Sequence, residues 1–284
     1  MAGILYLVAT PIGNLEDITY RAVRILKEAD LIAAEDTRNS IKLLNHFEIK
    51  KPMTSYHEFN RFDKAEILID KLMQGENIAL ITDAGTPGIS DPGEVLVAMC
   101  VDRGIDVVPV PGAVAGINAL IASGQPTSRF VFEGFIPQDK KEKAEVLERL
   151  GNETRTIIIY EAPHRLVKTL KELSTVLGEE RSLTICKELT KKHETFRKTT
   201  FKEALQMYDS EEMSPRGEYV LIVAGKSRQE IEMEKKASWE DISIEEHLKR
   251  YIDEGMSKKE AVKKVSEERD IPKREVYAVS VRFS

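Results

Sequence analysis

Cysteine is nearly absent from this 284-residue chain, in which Cys100 and Cys186 are the only two. Both stand in apolar surroundings, which excludes a disulfide framework and a cysteine-rich zinc site and leaves buried thiols as the reading. Long hydrophobic runs are absent too. The apolar stretch from Gly3 to Ala9 is too short to cross a bilayer and lacks the basic flank of a secretory signal, so a cytoplasmic protein without a membrane partner is expected. Nor is there an excess of positive charge, since 42 Lys and Arg face 48 Asp and Glu for a formal net charge of −6. That balance argues against nonspecific coating of nucleic acid, which needs many phosphate contacts. The dinucleotide fingerprint GxGxxG is missing, and no Walker lysine follows a glycine loop, so NAD and ATP lose ground.

What is present is ordinary globular composition, 42% hydrophobic and 32% charged, with length enough for about two domains. From Ile4 to Ile121 short apolar runs alternate with amphipathic segments, the pattern of a mostly parallel sheet flanked by helices. Strands are expected at Ile4 to Ala9, Leu31 to Ala34, Met53 to Tyr56, Ile78 to Thr82 and Val107 to Val110. Helices are expected at Ile18 to Ala29, Ile41 to Phe47 and Ala65 to Met73, the last stopped by Gly75. The stretch from Ser123 to Asp139 reads as a connection with a short strand at Phe130 to Glu133. A mixed α/β pattern follows to Ala224, with strands at Thr156 to Tyr160, Leu183 to Lys187 and Tyr219 to Ala224 between three helices. Residues 226 to 241 are polar and suit a linker, and Leu248, Ile252, Ala261 and Val265 have the spacing of a small helical hairpin. The expected organisation is an α/β domain over 1–122, a second α/β domain over 123–226, and a linker with a small helical tail over 227–284.

Three loops follow expected strands of the first half: Thr10 to Asn14, Asp83 to Gly93, and Pro111 to Ala113. All lie at the carboxyl edge, where open α/β sheets hold their ligand crevice. Any one of them alone is an ordinary tight turn. Three together point to shaped backbone walls around a small molecule, because Gly allows close approach and Pro holds a turn rigid. The carboxylates Glu35, Asp36, Asp83 and Asp91 could be read as a magnesium site, but no metal is expected, and hydrogen bonding at strand ends with Arg38 is the preferred use.

In the second half, polar clusters stand at Tyr160 to Arg165, Lys187 to Glu194 and Arg216 to Glu218. His164 beside Glu161 and Arg165 is denser in titratable groups than packing requires and is the first choice for handling substrate. Between Lys187 and Lys202 six basic groups, Lys187, Lys191, Lys192, Arg197, Lys198 and Lys202, face only Glu188 and Glu194. The run is either a solvated face or a local RNA contact.

The segments ATPIGNLED (Ala9 to Asp17), AEDTR (Ala34 to Arg38), ITDAGTPGISDPG (Ile81 to Gly93), VPVPG (Val108 to Gly112), EGFIP (Glu133 to Pro137), YEAPHR (Tyr160 to Arg165) and KELTKKHE (Lys187 to Glu194) resemble the RNA-modifying branch of the tetrapyrrole methylase, or class III, methyltransferase family. The resemblance runs from about residue 3 to 225, and KREVY at Lys273 to Tyr277 resembles the tail of the same branch. Ala162 stands where Ser is common, and Arg216 where Lys is frequent. The resemblance implies two α/β domains of tetrapyrrole-methylase type with S-adenosylmethionine in the cleft between them, plus the small helical C-terminal tail. It implies 2′-O-methylation of a decoding-centre cytidine in 16S ribosomal RNA of the small ribosomal subunit, by a homodimer.

Carried over motif by motif, Pro11, Gly13, Asp83, Gly85, Pro87, Ile89, Ser90, Asp91, Gly112, Ala113, Val114 and Ala115 would line the cofactor from the first half. Tyr160, Glu161, Gly217 and Glu218 would close it from the second. Resemblance does not identify the base. His164, Glu161 and Lys187 are the candidates for proton removal, and Arg38, Arg165, Lys191, Lys192 and Arg197 for holding RNA phosphates. A tetrapyrrole C-methyltransferase and a noncatalytic RNA-binding assembly factor are the rival readings.

Overall fold

The computed structural model describes residues 1–209 and 214–281. Two five-stranded sheets lie within one compact unit, Met1–Gly225, and residues Lys226–Ser284 form a second unit. The first sheet is built from β1 (Leu5–Val8), β2 (Leu31–Ala34), β3 (Met53–Ser55), β4 (Ile78–Ile81) and β5 (Val107–Val110) in the order β3-β2-β4-β1-β5. All its pairings are parallel, as the nearly uninterrupted apolar strands require when helices cover both faces. Four helices belong to this half: α1 (Tyr20–Glu28), α2 (Thr37–His46), α3 (Arg61–Met73) and α4 (Gly93–Asp102). Leu68, Ile69 and Leu72 of α3 and Leu96 and Cys100 of α4 cover one face, and Ala22, Ile25 and Leu26 of α1 cover the other. Each large apolar side chain buried in this way contributes about 1.5–3 kcal/mol.

This strand order places β1 between β4 and β5. The three glycine- and proline-bearing loops therefore leave adjacent strands and meet at one edge. A bridge between Thr10 and Gly85, with Thr10 N–H donating to the Gly85 carbonyl at 2.8 Å, joins the first two.

Helix α5 (Ala115–Ala122) follows the third loop. Its Ala119 and Leu120 pack with Ile158, Cys186, Val220 and Ile222, so it lies on the second sheet although it precedes Ser123. That sheet comprises β6 (Phe130–Phe135), β7 (Thr156–Glu161), β8 (Ser182–Lys187), β9 (Thr195–Thr200) and β10 (Tyr219–Val223) in the order β6-β7-β10-β8-β9. Only β6 and β7 run parallel. Helices α6 (Lys140–Gly151), α7 (Leu166–Leu177) and α8 (Phe201–Asp209) complete this half, with Leu150, Leu166, Leu170, Leu173 and Phe201 in its core. Both cysteines are buried and free.

Five features depart from the sequence reading. Helices α4 and α5 are apolar nearly all round and show no amphipathic period to find. Strand β9 lies inside the basic run because Thr195 to Thr200 pair along β8 as an edge strand, which tolerates charge. The supposed linker is a helix, α9 (Arg228–Glu240), rich in helix formers and started by a capping box between Ser227 and Glu230. The hairpin after it is a set of three helices, α10 (Ile244–Asp253), α11 (Lys258–Arg269) and α12 (Lys273–Ser280), because Val276 joins Leu248, Ala261 and Val265 in the core.

Candidate active site

A cavity of about 320 Å³ opens where the loops of the first sheet face strand ends of the second. Ile12, Ala84, Val114, Ala115, Leu189 and Val220 give it apolar walls, while Glu35, Asp91, Glu161 and Glu218 are its carboxylates. Volume and lining fit a small organic ligand held by a few fixed polar groups.

The backbone shapes the first wall. Gly85 (φ +88°) sits so tightly that a Cβ there would meet Ile12 Cγ2 at 3.3 Å and the Ala113 carbonyl at 3.4 Å. Thr86 Oγ1 donates to the same Ala113 carbonyl at 3.1 Å, which fixes the third loop against the second. Asp91 accepts from the N–H groups of Gly88, Ile89 and Gly93 at 2.7 to 3.2 Å and so clamps its own loop. Ser90, in that loop, is held at φ +62°, a strained conformation for a residue with a side chain. Asp83 is not among the lining residues and accepts from Asp36 N–H and Asn39 Nδ2, both at 3.1 Å, tying the end of β4 to the start of α2. Glu35 at the end of β2 accepts from Thr82 Oγ1 at 2.6 Å and lines the cavity. Of the expected cofactor residues in this half, Gly85, Ile89, Ser90, Asp91, Val114 and Ala115 line the cavity, whereas Pro11, Gly13, Pro87, Gly112 and Ala113 are not among its lining residues.

The second wall is equally constrained. Tyr160 is half-buried, its hydroxyl accepting from Gly116 N–H at 2.9 Å and its ring packed edge-on against Phe132 and Phe135. Burial pushes its phenol above the ordinary value. Glu161, 2% exposed, accepts from Thr169 Oγ1 and Ala162 N–H and has the Arg165 Nε 3.4 Å away. Arg165 also donates to the Ile136 carbonyl at 2.6 Å. Sequence reasoning missed the partners of the last turn. Glu188 accepts from Glu218 N–H at 2.9 Å and lies 2.5 Å from where a Gly217 Cβ would be, and Gly217 adopts φ +81°. Lys191 bridges Glu188 and Glu218 at 3.1 and 2.9 Å. Burial opposes ionisation of both Glu188 and Lys191, yet these bonds hold the carboxyl below and the ammonium above their ordinary values. Glu188 and Thr190, either side of the lining Leu189, both have positive φ.

The expected catalytic and phosphate-holding groups are therefore dispersed. His164 is exposed on the turn just beyond Pro163, which lines the cavity. Lys187 faces a separate recess of about 150 Å³ with Arg197, its Nζ 6.0 Å above the Tyr219 ring. Arg38 is exposed but its fork is closed on Asp36 at 2.7 and 3.1 Å. Arg165 and Lys191 face inward, occupied by the partners just described, because each compensates a carboxylate at the cavity wall. Lys192 and Arg197 are exposed.

The profile of the Tetrapyrrole (Corrin/Porphyrin) Methylases matches residues 4–205. The chain belongs to this family. Among tetrapyrrole methylases and their relatives it is 48% identical over 281 residues to a protein of Synechocystis named ribosomal RNA small subunit methyltransferase I, covering 99% of this chain and 98% of that one. It is 49% identical over 277 residues to a protein of the same name from Halalkalibacterium halodurans, covering 98% and 94%. The uroporphyrin-III C-methyl transferase from Thermus thermophilus, solved in complex with S-adenosylhomocysteine, shares the fold at a TM-score of 0.54 and 20% identity, over 78% of this chain and 97% of that one. As a tetrapyrrole methylase the chain is an S-adenosylmethionine-dependent methyltransferase. The cavity fits that cofactor: its carboxylates suit a ligand carrying ammonium and sulfonium charges, and its apolar walls suit an adenine ring.

Proposed function

We propose that this methyltransferase acts on the ribose 2′-hydroxyl of a decoding-centre cytidine in 16S ribosomal RNA of the small ribosomal subunit. The observation that carries the reading is the second wall of the cavity: the segments YEAPHR and KELTKKHE supply Tyr160 to Pro163 and Leu189 to the lining. Relatives matching nearly end to end at about half identity and bearing an RNA methyltransferase name support it.

When bound, S-adenosylmethionine supplies an electrophilic methyl group. Ile12, Gly85, Ile89, Ser90, Asp91, Val114 and Ala115 would hold it from one side, and Tyr160, Glu161 and Glu218 from the other. These walls are fixed by internal hydrogen bonds, so the chain's main contribution is alignment, worth roughly 7 to 11 kcal/mol when groups are near attack geometry. Proton removal is the smaller part, about 10² to 10⁴-fold. Glu161 is a positioning residue, because its oxygens are taken by Thr169, Ala162 and Arg165. His164, exposed on the turn next to the lining Pro163, is assigned the proton. Lys187, Lys192 and Arg197, with Arg38 when its pair with Asp36 opens, hold phosphates.

The protein acts in the cytoplasm as a homodimer through the edge strand β6. Exposed Phe130, Phe132 and Ile117 line an apolar recess there, and Ile121 is exposed on the same helix as Ile117, which supports this reading. A transfer assay with labelled cofactor tests the substrate reading. Label should enter the RNA of small ribosomal subunits and not porphyrinoid acceptors, and the reverse result would favour a tetrapyrrole C-methyltransferase.

A further inference from the structure

The second unit buries Leu248, Ala261, Val262, Val265 and Val276, which uses only the inner faces of α10, α11 and α12. Arg269 locks the unit by donating to the Trp239 and Ile242 carbonyls and to His247 Nδ1. Between α11 and α12 lie three residues, with Asp270 in the left-handed region (φ 52°) and Pro272 opening α12. Two short helices joined by a three-residue turn over a supporting third helix make a helix-turn-helix arrangement.

Its outer side is not spent on packing. A recess of about 660 Å³ between α11 and the start of α12 is lined by Lys258, Lys259, Lys263, Lys273 and Tyr277, with Glu260 as the one carboxylate among its lining residues. Glu260 is consumed by the helix cap, accepting from Ser257 N–H at 3.1 Å and Ser257 Oγ at 2.6 Å. Lys263 has only a loose, solvated neighbour in Glu267, 3.9 Å away. Lys259, Lys263 and Lys273 thus share a concave surface whose one lining carboxylate is already engaged by the cap, in a chain whose net charge is −6. Along α12 the exposed positions Lys273, Arg274 and Tyr277 form one stripe, and Tyr277 is 60% exposed. A basic recess next to an open aromatic ring has the chemistry of a site that holds backbone phosphates and stacks an unpaired base.

We propose that α11 and α12 form a second RNA-contacting face, separate from the catalytic cavity. This inference rests on the reading of RNA as substrate and adds where else the substrate is held. The deep, narrow major groove of duplex RNA does not admit a helix, so the target is a loop or bulge. Lys259, Lys263 and Lys273 hold its phosphates, and Tyr277 stacks on a splayed base.

The test uses the full chain and a fluorescein-labelled RNA hairpin with a single-stranded loop, followed by anisotropy across a range of potassium chloride concentrations. Reversing charge together at Lys259→Glu, Lys263→Glu and Lys273→Glu should weaken binding at least tenfold and lower the salt slope by about 3, one unit for each phosphate contact. Tyr277→Ala should weaken binding about tenfold and leave the slope unchanged, as loss of stacking does. Lys249→Glu on α10, whose partner is Glu245 outside the recess, is the control and should change neither. S-adenosylhomocysteine affinity by calorimetry should stay constant in all. Unchanged affinity and slope in the triple variant would overturn the proposal. So would unchanged hairpin binding with weakened binding to intact small subunits, which would make the face a protein contact. If ribose methylation is not found yet hairpin binding still depends on these lysines, only the substrate reading falls.

Discussion

The Tyr160 hydroxyl accepts a hydrogen bond from the Gly116 N–H at 2.9 Å, so the end of a strand in one sheet grips the first turn of the helix that follows the third glycine- and proline-bearing loop. Removing the oxygen leaves a half-buried N–H without its partner. Tyr160→Phe should cost about 1–3 kcal/mol in stability and weaken S-adenosylhomocysteine binding about tenfold. Calorimetry beside urea denaturation checks both numbers, and unchanged cofactor affinity would detach this bond from the site.

Gly112 is the tightest point of the third loop. A Cβ there would lie 2.7 Å from Ala9 Cβ, which has no rotamer with which to retreat. Gly112→Ala should therefore move the loop, cost about 1–3 kcal/mol and abolish measurable cofactor binding, while the circular dichroism of the fold persists. Wild-type affinity in this variant would show that the loop does not set the cavity.

Much of this was legible in the chain. The parallel sheet announces itself in five apolar runs, and glycine and proline after β1, β4 and β5 mark the crevice before any strand order is known. What pattern could not supply is neighbourhood. Nothing local to Glu188 tells that it caps the Gly217 turn 29 residues later, or that Lys191 answers both Glu188 and Glu218 rather than an RNA phosphate. Lys187 reads like a base beside Glu188, yet strand alternation turns it to a different recess. Helix α9 was hidden because a helix with high propensity but no clear apolar stripe has the composition of a linker.

His164 and Glu161 divide the work of their motif, and substitution separates them. His164→Ala should lower the single-turnover rate by about 10² to 10⁴-fold with cofactor affinity unchanged. Glu161→Gln leaves Arg165, which is mostly buried, without its carboxylate and should destabilise the protein by about 3–5 kcal/mol. A stable Glu161→Gln protein with lost turnover would make Glu161 the base instead.

Acid should erode stability through carboxylates held by arginine. Arg155 donates through Nε and Nη2 to both oxygens of Glu153, and these bonds lower its pKa from the ordinary 4.5 to about 2. A depressed folded value stabilises fully above the unfolded one, so this contribution is complete above about pH 4.5 and is lost as pH falls toward about 2. The urea midpoint should drop across that window less steeply in Glu153→Gln than in the natural chain. Equal slopes would mean that the pair contributes nothing measurable.

The central claim is that the cavity between the two sheets serves ribose methylation of small-subunit RNA. The most direct measurement is alkaline cleavage mapping of 16S ribosomal RNA from cells with and without this chain, since a methylated 2′-oxygen blocks cleavage at its own nucleotide. The account predicts one protected cytidine in the decoding region that becomes cleavable when the chain is removed and is protected again on its return, but not on return of Gly112→Ala. Identical cleavage patterns in both strains would contradict it.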